Sequence, residues 1–318
     1  MSQTLDTKRI LIFLAFAFGI AWAGALVIAL TGGIVGSPSL VPGSTYTLAF
    51  VMTAVVYMGA PAIANVLTRL ISHEGWKNVG LRPNIRRGWP FWLATWFLPA
   101  VFTILGAAVY FLFFPQDFDP KLTLLNQMIA QAGPAAAGMS AITLIVIQTV
   151  QAVLISPLLN GLFTFGEEFG WRAYLLPKLM PLGGKRAVLL LGVIWGVWHW
   201  PIIAMGHNYG FDYPGFPWLG MLMMVLVCIG LSAFLSWATL RAGSVWPAVI
   251  GHGAVNGISA LGALVLVEGA GNPLVGPMPV GIIGMAAWLV TAILIFASSR
   301  ALRPAETAAP APLETPQA

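Results

Sequence analysis

Long apolar runs dominate this chain, and they leave it few folds to choose from. Hydrocarbon offers backbone N–H and C=O groups no partner, so only helices and closed barrels cross a membrane. A helical span needs about 20 apolar residues. Eight segments qualify, at roughly 10–31, 46–69, 89–114, 140–165, 187–206, 217–240, 245–267 and 279–299. None shows the apolar–polar alternation of barrel strands. Only 8% of the residues are charged, against about 25% in a soluble domain. The expected fold is all-α, a polytopic integral membrane protein with about eight transmembrane helices.

The 15 Lys and Arg residues, in a chain of net charge +5, report orientation. With eight spans, all of them except Lys121 fall on one side, a strong positive-inside bias that sets both termini in the cytoplasm. Residues 1–9 then form a cytoplasmic N-terminus and 10–302 one membrane domain. Residues 303–318, rich in Pro and Ala, form a cytoplasmic tail expected to be disordered. The segment 70–88 reads as a basic cytoplasmic loop and 115–139 as an external one. Short loops, the lack of a targeting presequence and the tail read as a bacterial plasma-membrane protein. Cys228 is the only cysteine, so the chain forms no internal disulfide, and its apolar span makes it a small buried hydrophobe.

Ionisable groups inside hydrocarbon cost roughly 2.5–3.5 kcal/mol each for Asp or Arg, so those that occur mark function. Three segments carry them: GEEFGWR with Glu167, Glu168 and Arg172; WGVWH with Trp195 and His199; HGAVN with His252 and Asn256. Residues four apart share a helix face, so each segment offers one polar face. Glu168 and Arg172 should pair, leaving Glu167, about 100° around the helix, free to face another helix. His199 lies about 18 Å and His252 about 10 Å from the cytoplasmic starts of their spans. Glu167 ends span four on that side. The site is therefore expected in the cytoplasmic half of the bilayer, open to the cytosol. Each of the three helices also carries G-x-x-x-G (Gly166/Gly170, Gly192/Gly196, Gly253/Gly257), a pattern that permits close helix approach.

These side chains suit hydrolysis in two ways. A carboxylate beside an imidazole can deprotonate water, with a second His and an Asn amide donating to the oxyanion. Alternatively Glu167, His199 and His252 could bind zinc with one position open for water. The chain has no H-E-x-x-H or G-x-S-x-G motif, and no Asp lies in any span.

The order E-E-x-x-x-R, aromatic-x-x-x-H, H-x-x-x-N on successive membrane helices resembles the CPBP family, the CAAX proteases and bacteriocin-processing enzymes that include the Ras-converting CAAX endoprotease. The resemblance covers about residues 140–267. It implies an intramembrane endopeptidase of eight or so helices, acting on a membrane-embedded or lipidated peptide, in a family described both as metalloproteases and as glutamic proteases. Carried over, Glu167 would activate water with His199, His252 and Asn256 would stabilise the oxyanion, and Glu168, Arg172 and Trp195 would be supporting residues. The family's second motif usually has Phe where this chain has Trp195. The resemblance leaves the cofactor open between none and zinc. The expected partners are such a substrate and membrane lipids, with nothing pointing to nucleic acid.

Two other readings fit parts of the sequence. Buried charges also mark transport paths, but no paired inverted repeat is visible. A non-catalytic scaffold or immunity factor would not need the full motif set. His73 and His207 are expected in loops away from the site, and Tyr174 and Asn160 are candidates for lining the cleft.

Overall fold

A computed structural model describes residues 4–42, 44, 46–77 and 79–304. Beyond residue 304 the expected tail lies outside the described residues. The chain forms α1 (Thr7–Leu30), α2 (Leu48–Val51), α3 (Met58–Ile71), α4 (Ile85–Phe113), α5 (Thr123–Ala132), α6 (Ala141–Leu154), α7 (Ser156–Gly170), α8 (Leu176–Leu179), α9 (Gly184–Trp198), α10 (Trp200–Ile203), α11 (Trp218–Ala242), α12 (Trp246–Ile258) and α13 (Ala286–Ala297). No strand occurs among the described residues beyond two isolated bridges, Ser39 with Thr47 and Phe118 with Leu266. The all-α membrane fold is as expected.

The span count differs from eight. Among the described residues, five helical stretches are long and apolar enough to cross a membrane: Thr7–Leu30, Leu48–Ile71, Ile85–Phe113, Trp218–Ala242 and Trp246–Val265. A sixth is reached if Thr123–Ala136 and Ala141–Leu154, bent by 89°, count as one. The remaining segments fall short for identifiable reasons. The apolar run taken as span four breaks at Ile155, and Ser156 starts a new helix with Pro157 in its first turn. Helical turns then continue through α7, a π-helical turn at Trp171–Leu175, α8 and a final 3-10 turn ending at Leu182. This run carries Glu167, Glu168, Arg172 and Lys178, so its average hydropathy is low. α9 and α13 have only 15 and 12 residues.

Contacts define two ends of the bundle. At one, Asn84 donates to the carbonyls of Ala242 and Gly243, and Val245 N–H donates to Gly80. Glu74, just past α3, ties α1 to α8 at this end. Lys178 Nζ donates to it at 2.6 Å and Tyr174 Oη at 3.0 Å, with Arg9 at 3.6 Å. At the other end Phe118 bridges Leu266, and Tyr209 Oη donates to the Val280 carbonyl at 3.2 Å. Except for Lys121 and the buried Arg172, every Lys and Arg belongs to the first end.

The bundle packs α12 on α7 and α4, α11 on α9, and α3 between α1 and α7. The three G-x-x-x-G pairs lie at three of these seams. A Cβ on Gly166 or Gly170 would come within 2.5 Å of the Met58 carbonyl or 2.3 Å of Pro61 on α3. On Gly196 it would meet the Val225 backbone of α11 at 2.5 Å, and on Gly253 the Pro157 carbonyl of α7 at 2.6 Å. Small residues here let backbones touch, which is how helices associate where no hydrophobic force acts between them.

Glu74 supplies a pH test of the first end. Partial burial favours its neutral form, but the Lys178 ammonium, the Tyr174 hydroxyl and the Arg69 guanidinium outweigh this and hold its carboxyl below the usual range. A depressed folded-state pKa stabilises above the unfolded value of about 4.3 and loses that contribution as pH falls through the folded value. Glu74→Gln should lower the melting temperature in detergent at pH 7. Its deficit should shrink to nothing once the pH drops below the ordinary carboxylate range, as wild-type Glu74 protonates. A deficit independent of pH would show that Glu74 acts by shape rather than charge.

Candidate active site

Glu167 and Glu168 sit in the middle of the helical run from Ser156 to Leu182, not at a span end as the hydropathy profile implied. Glu167, Glu168 and Arg172 are each at most 3% exposed. Arg172 makes that depth tolerable. Its Nη1 donates to Glu168 Oε1 at 2.9 Å and its Nη2 to Ser232 Oγ of α11 at 3.2 Å. The expected i,i+4 pair is therefore present. Arg172 lies in the π-helical turn Trp171–Leu175, a geometry that often marks functional positions.

Glu168 also reaches across to α12. Its Oε1 accepts from His252 Nδ1 at 2.9 Å. Glu168 Oε1 also accepts from Arg172, so Nδ1 is the donor in this bond and His252 Nε2 lies outside it. Glu168 and Arg172 thus join the first motif to the third.

Trp195 joins the first motif to the second. Its Nε1–H donates to Glu167 Oε2 at 2.7 Å. The Arg172 guanidinium lies 4.2 Å from its ring centroid, a cation–π geometry. Its carbonyl, which can only accept, lies 2.8 Å from His199 Nδ1. His199 is therefore the Nδ1–H tautomer, with a lone pair on Nε2. Phe at this position would stack but could not donate to Glu167.

His199 occupies the joint between α9 and α10. Pro201 has no N–H to continue the helix, and Ile202 N–H turns to the His199 carbonyl instead. The freed carbonyl of Trp198 accepts from Tyr57 Oη and from Trp22 Nε1, the latter at 3.1 Å. Trp198 Nε1–H donates to the Ala17 carbonyl at 3.2 Å. α1 and the π-helical turn Met52–Tyr57 therefore pin the joint that carries His199.

Glu167, His199, His252 and Asn256 all line one cavity of about 310 Å³, within the usual range of ligand sites. Glu168 and Arg172 lie behind its wall. Asn256 is exposed, and its side chain has no hydrogen-bond partner among the described residues. The cavity continues past His207, Asn208, Pro279 and Val280. These belong to loops at the end opposite the basic residues. The opening was expected at the basic end; the cavity instead reaches the opposite one, because the depth estimate counted residues from the basic ends of the helices without knowing which way the cavity ran.

Other expectations are also revised. His207 is not remote; it lines the cavity, and burial holds its imidazole below its ordinary pKa. The sequence signal was its place eight residues after His199, discounted because it lies outside a span. Tyr57, Thr53 and Met224 line the cavity from helices read as scaffold. Tyr174 instead bonds Glu74 at the basic end, and Asn160 Nδ2 donates to the Gly253 carbonyl at 3.2 Å as a packing contact. Cys228 is fully buried, as expected. Among the described residues no group of three His, Cys, Asp or Glu side chains is placed to hold a metal ion. Glu167, His199 and His252 share a cavity without forming such a cluster, so the zinc alternative gains no support from their arrangement.

Residues 143–258 match the model of the family described as Type II CAAX prenyl endopeptidase Rce1-like. A protein named CAAX prenyl protease 2, from Methanococcus maripaludis, is 29% identical over 93 residues, covering 28% of this chain. The match spans about a third of that relative's length, 34%. The family stretch coincides with the three motifs, so the resemblance read from them holds.

The buried ion pair makes a prediction. Removing one partner of such a pair strands the other charge, typically at 3–5 kcal/mol. Arg172→Met should destabilise the protein by roughly that amount, whereas Arg172→Met with Glu168→Gln should recover much of the loss. Thermal unfolding in detergent compares them. Equal destabilisation by the single and double variants would show that packing, not charge, sets the cost.

Proposed function

We propose that this chain is an intramembrane endopeptidase of the CAAX-protease type, hydrolysing a peptide bond in a membrane-associated or lipidated peptide. The observation that carries the reading is convergence: Glu167, His199, His252 and Asn256, from three helices, line one cavity.

In this mechanism a water lies between Glu167 and His199. Trp195 holds one oxygen of Glu167, and the other acts as general base. The Nε2 lone pair of His199 accepts a hydrogen bond from the same water and orients its attack. The scissile carbonyl turns its oxygen to His252 and Asn256. The Asn256 amide donates to the developing oxyanion, and His252, oriented by Glu168 through Nδ1, donates from Nε2 when that atom carries a proton. Glu167 then returns its proton to the leaving amine, which completes hydrolysis. No step needs a metal. The supporting residues Glu168, Arg172 and Trp195 fix tautomer and orientation.

A chain that only bound another membrane protein would have no use for a carboxylate, two imidazoles and an amide lining one cavity. Peptide termini in membranes from cells making wild type, Glu167→Gln or His199→Ala at equal level give the test. Termini found only with wild type are expected, with a loss of at least about 100-fold in cleavage for each variant, the usual scale for a general base. Cleavage should persist in a chelator. Identical termini in all three would retire the hydrolase reading. Loss on chelation with recovery on added Zn²⁺ would move the chemistry to a metal held by these side chains.

A further inference from the structure

The mechanism leaves one histidine of the cavity without a task. His207, in the loop between α10 and α11, lines the same space as Glu167, His199, His252 and Asn256. Its main chain is used up. The N–H donates to the Ile202 carbonyl at 3.0 Å, and the carbonyl accepts from Tyr209 N–H at 2.9 Å. Its imidazole is not. Among the described residues, the histidine rings that make hydrogen bonds are those of His199 and His252.

The turn carrying His207 is held in place. Gly206, Asn208 and Gly210 take φ of +87°, +66° and +66°, and Gly210 N–H donates to the Gly206 carbonyl at 2.9 Å. A non-glycine residue at positive φ persists only where its surroundings impose it, and Asn is among the few that accept it. Those surroundings are visible. The buried Tyr209 donates from Oη to the Val280 carbonyl at 3.2 Å. Gly206 packs so closely on Phe211 that a Cβ there would come within 2.7 Å of the ring. The loop therefore fixes the residue that it presents to the cavity.

The chemistry around His207 is neutral. Burial holds its imidazole in the uncharged form, with one donor and one acceptor nitrogen. Asn208 and Ser259, which line the cavity as well, also donate and accept without charge. No Lys or Arg lines the cavity, and Glu167 is its one carboxylate. Such a lining offers little to a charged group. It matches a peptide group, which presents one N–H and one C=O.

We propose that the His207 imidazole binds substrate, hydrogen-bonding a main-chain peptide group beside the scissile one and so holding the peptide in register with Glu167. Both groups lie in one cavity of about 310 Å³, which makes them neighbours along the substrate. The proposal rests on the hydrolase reading for the scissile bond, but not for the binding itself.

The probe is a peptide prenylated on cysteine, the class named by the matching family, with each peptide bond replaced in turn by an ester that lacks the N–H. Binding is measured in the Glu167→Gln protein, where the peptide stays whole. Adding His207→Phe, which fills the space without a hydrogen bond, should weaken binding roughly 3–10-fold, the scale of one neutral hydrogen bond. His207→Gln, which keeps a donor and an acceptor, should restore most of it. One ester should weaken binding when His207 is present and cost nothing further with His207→Phe. With Glu167 intact, His207→Phe should raise KM by the same factor and leave kcat nearly unchanged. Full binding by His207→Phe, or ester penalties equal with and without His207, would reduce the residue to packing and overturn the proposal. A fall in kcat alone would overturn it too, by moving His207 into the chemistry. His207-dependent binding without cleavage by the wild type would remove the hydrolase reading and keep the binding role. Absence of binding by every variant would remove this proposal and the prenylated peptide together.

Discussion

The contact between Arg172 and Glu168 is the one on which the rest of the site depends. Two adjacent glutamates cannot both be buried inside a bundle unless at least one is neutralised, since each bare charge costs several kcal/mol. Arg172, one turn on, pairs with Glu168 at 2.9 Å and leaves Glu167 single. The same guanidinium bonds Ser232 and stacks on Trp195. Glu168 holds His252, while Trp195 holds Glu167 by its indole and His199 by its carbonyl. Two side chains, Glu168 and Trp195, therefore connect all three motifs, and Arg172 braces both of them. The cost of burying the ion pair secures registry among α7, α9 and α12, a use of buried charge better supported than any gain in stability.

Registry also needs close backbones, and the glycines give it. α7 rests on α3 through Gly166 and Gly170, α9 on α11 through Gly192 and Gly196, and α12 on α7 through Gly253 and Gly257. A methyl group at most of these positions would overlap a neighbouring backbone. The polar contacts are short because the helices touch, and the helices touch because the facing residues lack side chains. Both facts come from the same three heptapeptide-scale segments.

Much of this was legible in the sequence, because i,i+4 spacing and G-x-x-x-G are local patterns that survive folding unchanged. The Glu168–Arg172 pair, the free Glu167 and the three motif-bearing helices follow from spacing alone. What was not legible depends on long-range geometry. Hydropathy averaging reads Glu167, Glu168, Arg172 and Lys178 as four separate penalties and ends a span there, whereas the pair cancels two of them and the helix runs on to Leu182. The Glu168–His252 bond links residues 84 positions apart. His207 and Tyr57 reach the cavity only because the bundle folds their segments over it, and no local pattern separates them from loop and scaffold residues.

The hydrogen-bond pattern leaves a small remainder. Among the described residues, Glu167 uses one oxygen on Trp195, and each motif histidine uses Nδ1. One oxygen of Glu167, two Nε2 atoms and the Asn256 amide are left, and all belong to residues on one cavity wall. Three of these groups come from buried side chains and the fourth from the exposed Asn256, and all four residues line the same cavity. An acceptor carboxylate, an acceptor imidazole, a second imidazole paired to a carboxylate and a neutral amide are what a water, a carbonyl and a tetrahedral oxyanion would bind in turn. The contacts that hold these side chains in place are also those that fix which of their atoms remain available.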